Sequence, residues 1–170
     1  YDAGGKSGST SAFQVQYLDA ASAGLRDFIA LRSITAASLT AMVTTYPNYF
    51  ASIRAGNLRL ATDGTLAARV RSNYAVIKSM YAAAVFPPVT LLVGRFSTGG
   101  TTSANGMLIG SEFCSVASDT PLGELGQFQR DNVKPIDSLP IIIAHEHGHI
   151  LQARENGLFT RPNKNLLEQA

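Results

Sequence analysis

The stretch IIIAHEHGHILQ, Ile141 to Gln152, holds all three histidines of this 170-residue chain, with Glu146 among them and an unbroken apolar run in front. Asp137 or Ser138 is placed to cap a helix, Pro140 falls in its first turn, where a missing N–H costs little, and Asn156-Gly157 supplies a stop. A helix over residues 139–156 is therefore predicted. At about 100° per residue, His145 and His149 stand about 40° apart, one turn above the other. That arrangement suits two imidazoles gripping one tetrahedral Zn2+. Glu146 lies about 60° from His149 on the same wheel, within reach of a metal-bound water without being a ligand. His147 points about 200° from His145 and is excluded from the pair. It is expected to be a solvated or hydrogen-bonded residue that the site can do without.

HEHGH fits the H-E-x-x-H pattern, whose chemistry is specific. Two neutral imidazoles and a third protein ligand leave zinc one open position, where a water is acidified to a pKa of about 7. Glu146 then serves as general base for attack on a carbonyl and afterwards returns the proton to the leaving amine. The residues call for a peptide or protein substrate and a zinc cofactor. Two classes stay open: a metallopeptidase, and a non-catalytic zinc-binding or interaction module in which the same site is structural. A helix that carries the pattern by coincidence would bind no zinc.

Upstream, the pattern is mainly helical. Leu25, Phe28 and Ile29, then Leu39, Met42, Val43 and Tyr46, repeat at three- and four-residue spacing, so two amphipathic helices are expected, the second interrupted at Pro47. NYFASIRAG, Asn48 to Gly56, reads as a short helix ending near its glycine. A longer one follows from Thr65, with Leu66, Val70, Tyr74, Ile77 and Tyr81 on one face. These stripes signal packing, and no chemistry is assigned to their aromatics. Pro87-Pro88 ends the helical part. Val89 to Phe96 and Met107 to Phe113 then read as two buried strands. The ten residues STGGTTSANG between them exceed an ordinary hairpin loop, and are either a functional loop or a polar hairpin tip. A short helix is expected from Thr120-Pro121.

Fourteen basic and twelve acidic residues nearly cancel without a basic run, which argues against a nucleic-acid or anionic-membrane surface. No apolar stretch reaches the ~18 to 20 residues of a transmembrane helix, so a soluble chain is expected, its compartment open and export included. The oligomeric state is also left open. Cys114, the one cysteine, allows no internal disulfide and reads as a small buried apolar residue. Residues 1–12, Gly/Ser-rich at the start, are expected to be a flexible leader. Their GGKS lacks the earlier glycine and the strand of a phosphate loop. Residues 13–170 are expected to form one α+β domain. The chain starts without methionine and stops in NLLEQA, as a processed or truncated piece would.

FPPVTLLVGRFSTGGTTSANGMLIGSEF (Phe86 to Phe113), DTPLGEL (Asp119 to Leu125) and VKPIDSLPIIIAHEHGH (Val133 to His149), in this order, carry a resemblance. They are similar to the predicted zinc-dependent proteases grouped under a domain of unknown function, which resemble gluzincin-type metallopeptidases. The similarity runs from about Tyr17 onward and is strongest from Phe86 to Gln152. It implies a zincin-like domain whose sheet lies beside the active helix, with His145 and His149 as zinc ligands and Glu146 as base. It also implies that the 94–106 segment lies near the cleft, where an edge strand pairs with extended substrate. The family's third ligand is a downstream glutamate in a segment resembling E-G-x-A-D, which does not occur before Ala170. Glu168, with 18 residues between it and His149, is one candidate, and a glutamate beyond Ala170 is the other. Glu155 is too near on the same helix and is expected to be solvated. By this resemblance the domain is incomplete at its C-terminus, and the chain alone is expected to be inactive in peptide hydrolysis.

Overall fold

The computed structural model describes residues 10–62 and 64–155, with side chains described to residue 152. Most of the expected leader, the stop at Asn156-Gly157, and Glu168 lie outside the described residues, and so does the side chain of Glu155; residues 10–12 are helical and run into a π-helical turn, Phe13–Leu18. The architecture is α+β, as the sequence predicts.

The two first amphipathic helices are Ala23–Arg32 and Ala36–Thr45. The Ser22 hydroxyl accepts from the Leu25 N–H to start one. Thr35 and Ser38 start the other with reciprocal side-chain-to-backbone bonds at 3.1 and 3.0 Å. Pro47 does not merely end the second helix; it opens a third, Pro47–Thr62. That helix runs through Gly56 instead of stopping there. Gly56 is buried within the helix, where a β-carbon would make ordinary van der Waals contact with Ser115 and Ile136, so the glycine marks no helix end. The fourth helix, Gly64–Met80, forms an outer layer. Leu66, Val70 and Tyr74 pack inward from it, as the stripe predicts.

Three strands form the sheet: β1 (Val89–Leu92), β2 (Gly100–Ser103) and β3 (Gly106–Gly110), in the order β1-β3-β2. β1 runs parallel to β3, with Val89 opposite Met107, and β2 runs antiparallel to it, with Gly100 opposite Ile109. The predicted strands are thus shorter than drawn. The chain leaves β1 after Leu92, and a 3-10 turn, Ser111–Phe113, follows β3. The predicted loop itself contains β2. Gly106 is required where it stands: its φ is +119°, and a β-carbon there would strike the Pro88 carbonyl oxygen.

β3 is buried along its whole length and separates two apolar layers. Leu108 faces Phe28, Leu39 and Leu92 on the side of the first two helices. Met107 and Ile109 face Leu139, Ile143 and Ile150 of the last helix, Leu139–Glu155. Burying side chains of this size contributes about 1.5 to 3 kcal/mol each, so this alternation fixes which face of the sheet meets the histidine helix. Cys114 is buried among the second group, as expected.

The connection before that helix differs from expectation. No helix begins at Thr120-Pro121: the Thr120 hydroxyl accepts from the Ala117 N–H to close a turn, and the short helix starts later, at Gln127–Asn132. Glu124 turns away to accept from the backbone N–H groups of Asn48 and Tyr49, capping the Pro47–Thr62 helix. Asp137, one of the two expected caps of the histidine helix, pairs with Arg69 at 3.2 Å. Among the described residues, no single helix is long and apolar enough to cross a membrane.

Candidate metal centre

The histidine helix is oriented by its apolar residues. Ile143, His147 and Ile150, at spacings of four and three, are buried, while His145 is exposed and His149 half-buried on the far side. The rings of His145 and His149 stand edge to face, their centroids 4.7 Å apart. Their Nε2 atoms are 3.1 Å apart. Two nitrogens each about 2.0 to 2.1 Å from a tetrahedral zinc would be roughly 3.3 Å apart. The pair therefore fits that ion in spacing and in chemistry, both atoms facing the same open side. Among the described residues no third His, Cys, Asp or Glu joins them into a set of three.

The Glu146 carboxyl lies over the start of β2. A β-carbon on Gly100 would lie 3.0 Å from its carboxyl carbon and 3.2 Å from Oε1. Gly99, Gly100, His145 and Glu146 share one wall of a cleft of about 560 Å³. The rest is chiefly apolar: Phe96, Phe113, Phe128, Ile141 and Ile142 line it, with Cys114 at its base. Burial pushes the Cys114 thiol up to about 12, with the Glu112 and Glu146 carboxylates adding to the effect, so it is a protonated wall atom and no nucleophile. The segment expected near the cleft by resemblance is indeed beside Glu146. β2 is also the sheet's edge on that side.

His147 corrects the sequence reading. The wheel places it about 200° from His145, as computed, but that direction is the interior. It is 0% exposed, stacked on Phe86 at 4.7 Å between centroids and tilted against Tyr74 at 5.0 Å. Neither ring nitrogen has a hydrogen-bond partner. It is neither solvated nor hydrogen-bonded, and burial pushes its pKa below the usual imidazole value.

Glu112 is a residue the sequence reading passed over. It is 0% exposed, and its carboxylate accepts from the backbone N–H groups of Gly94 and Phe96, both at 3.0 Å. Burial raises its pKa to about 7 against these two bonds. Its signal was present: one acidic residue inside the apolar run MLIGSEFC.

No protein-family profile matches the chain, no curated protein matches it in sequence, and no solved structure matches it in fold.

Proposed function

We propose that this chain carries the catalytic centre of a zinc-dependent peptidase with a zincin-like domain, in which His145 and His149 hold the metal and Glu146 is the general base. One observation carries the reading: two imidazole nitrogens 3.1 Å apart on an open helix face, next to a glutamate at the wall of an apolar cleft. Zinc bound there would supply a Lewis acid that acidifies water and polarises a carbonyl. Glu146 takes the proton from the attacking water and passes it to the departing amine. Gly99 and Gly100, at the start of the edge strand β2, line the same cleft, so an extended peptide lying along that edge would carry its backbone past Glu146. The phenylalanine and isoleucine lining favours a bulky apolar side chain beside the bond that is cut. In this reading the third ligand is Glu168 or a glutamate further along the protein.

Metal analysis and peptide hydrolysis on the full-length protein and its Glu146→Gln variant test the proposal. Both proteins should hold zinc, and the variant should lose hydrolysis by ~100-fold or more. Absence of zinc from both would end the reading. Zinc in both with no hydrolysis in either would favour the second reading, a non-catalytic zinc-binding or interaction module.

A further inference from the structure

Glu112 is the only carboxylate among the described residues that is fully enclosed. Removing a charge from water is costly unless something else gains by it. What it touches is a single turn. Its Oε2 accepts the Gly94 N–H and its Oε1 the Phe96 N–H, so one carboxylate bridges the chain as it leaves β1. The space is fitted to it: a β-carbon on Gly94 would stand 3.0 Å from Oε1, and one on Gly110 would stand 3.3 Å from Oε2.

Between the two bonds the chain does something unfavourable. Phe96 has φ +54°, a left-handed conformation that bulky residues avoid. That conformation turns its ring into the cleft wall, edge-on to Phe113 at 5.0 Å and to Tyr46 at 5.6 Å. The chain is then tied twice more. The Gly110 N–H donates to the Gly99 carbonyl at 3.1 Å, and the Thr98 hydroxyl donates to the Gly100 carbonyl at 2.6 Å. Gly100 is the residue on which Glu146 rests. A continuous set of contacts therefore leads from the Glu112 carboxylate to the Glu146 carboxylate through the seven residues Gly94 to Gly100.

We propose that Glu112 is a positioning residue of the cleft: it clamps the Gly94–Gly100 turn, which fixes Phe96 as the apolar wall and seats Gly100 against Glu146. The clamp stands on its own geometry, and its effect on hydrolysis rests on the peptidase reading. Two measurements separate them. In amide hydrogen exchange, the wild-type Gly94 and Phe96 N–H groups should be protected like those of β3, and Glu112→Gln, in which an NH2 replaces one accepting oxygen, should lose that protection at 94 or 96 while β3 keeps it. Open-loop exchange at 94 and 96 in the wild type, which needs no variant to fold, would overturn the clamp; so would unchanged protection in a folded Glu112→Gln protein. In hydrolysis, the preference for phenylalanine over alanine beside the cleaved bond should fall about fivefold in Glu112→Gln, with zinc affinity unchanged. A role in folding alone would slow both peptides alike, and an unchanged ratio overturns the assignment. If the full-length wild type cleaves neither peptide, the peptidase reading falls and hydrogen exchange alone decides the clamp.

Discussion

The Glu146 side chain lies on the bare backbone of Gly100, with no room between them for a methyl group: a β-carbon would stand 3.0 Å from the carboxyl carbon and 3.2 Å from Cγ. Gly100→Ala is therefore a test of position with little else attached. The atoms in the way are the end of a side chain that can swing, and no left-handed φ is imposed at this residue. The variant should keep its stability within about 1 kcal/mol, as strand positions tolerate alanine. If the proposed peptidase reading holds, zinc affinity should be kept while kcat falls ~10-fold or more, because a displaced base is a slower one. An unchanged kcat in a folded variant would show that the placement of Glu146 on Gly100 is irrelevant to hydrolysis.

His147 sits in the interior with two unpartnered ring nitrogens. Replacing a buried polar group that makes no hydrogen bonds with an apolar ring removes its desolvation cost, so His147→Phe should match the wild type in stability or exceed it by about 1 kcal/mol. His147→Ala opens a cavity beside the stacked pair of Phe86 and Tyr74 and should cost roughly 2 to 4 kcal/mol. Denaturant unfolding of the three proteins decides the matter: an alanine variant as stable as the wild type would restore the picture of a dispensable, outward-facing residue.

Glu112 gives the fold a dependence on pH. Its folded pKa of about 7 lies above the ordinary 4.5, so between those values the native state binds more protons than the unfolded chain. Stability from this group is therefore full below about pH 4.5 and is lost as the pH climbs to about 7, after which it levels. The loss is on the order of 3 kcal/mol. Thermal unfolding from pH 4.5 to 8 should show this decline in the wild type and a shallower one in Glu112→Gln. Parallel curves for the two proteins would refute it.

Much of this fold is readable from periodicity, since apolar residues at three- and four-residue intervals had only one way to pack. Leu25, Phe28, Leu39, Met42 and Val43 all became core. β2 escaped because Gly-Thr-Thr-Ser has no apolar alternation; an edge strand with a helix over it is held by backbone bonds to β3, which composition does not register. Gly56 misled because a glycine inside a helix and a glycine at a helix end look the same in sequence. At the centre, the angles among His145, Glu146 and His149 followed from the helix repeat alone. The side on which His147 falls did not follow from angles, although Ile143 and Ile150 share its stripe and mark that stripe as interior. Neither Glu168 nor the side chain of Glu155 falls among the described residues.

The stack of Phe86, His147 and Tyr74 also acts on the opposite face of its helix. A rigid helix cannot roll about its axis while one side chain is packed against two rings that stack on each other and two isoleucines beside it pack against the sheet. The bearing of His145 and His149 is thus set by the interior, before any ion arrives. Ordering of the backbone beneath the two imidazoles belongs to folding and would not be subtracted from the affinity for a metal bound there. Stripping zinc from such a site should leave the helix in place and the two imidazoles still facing each other.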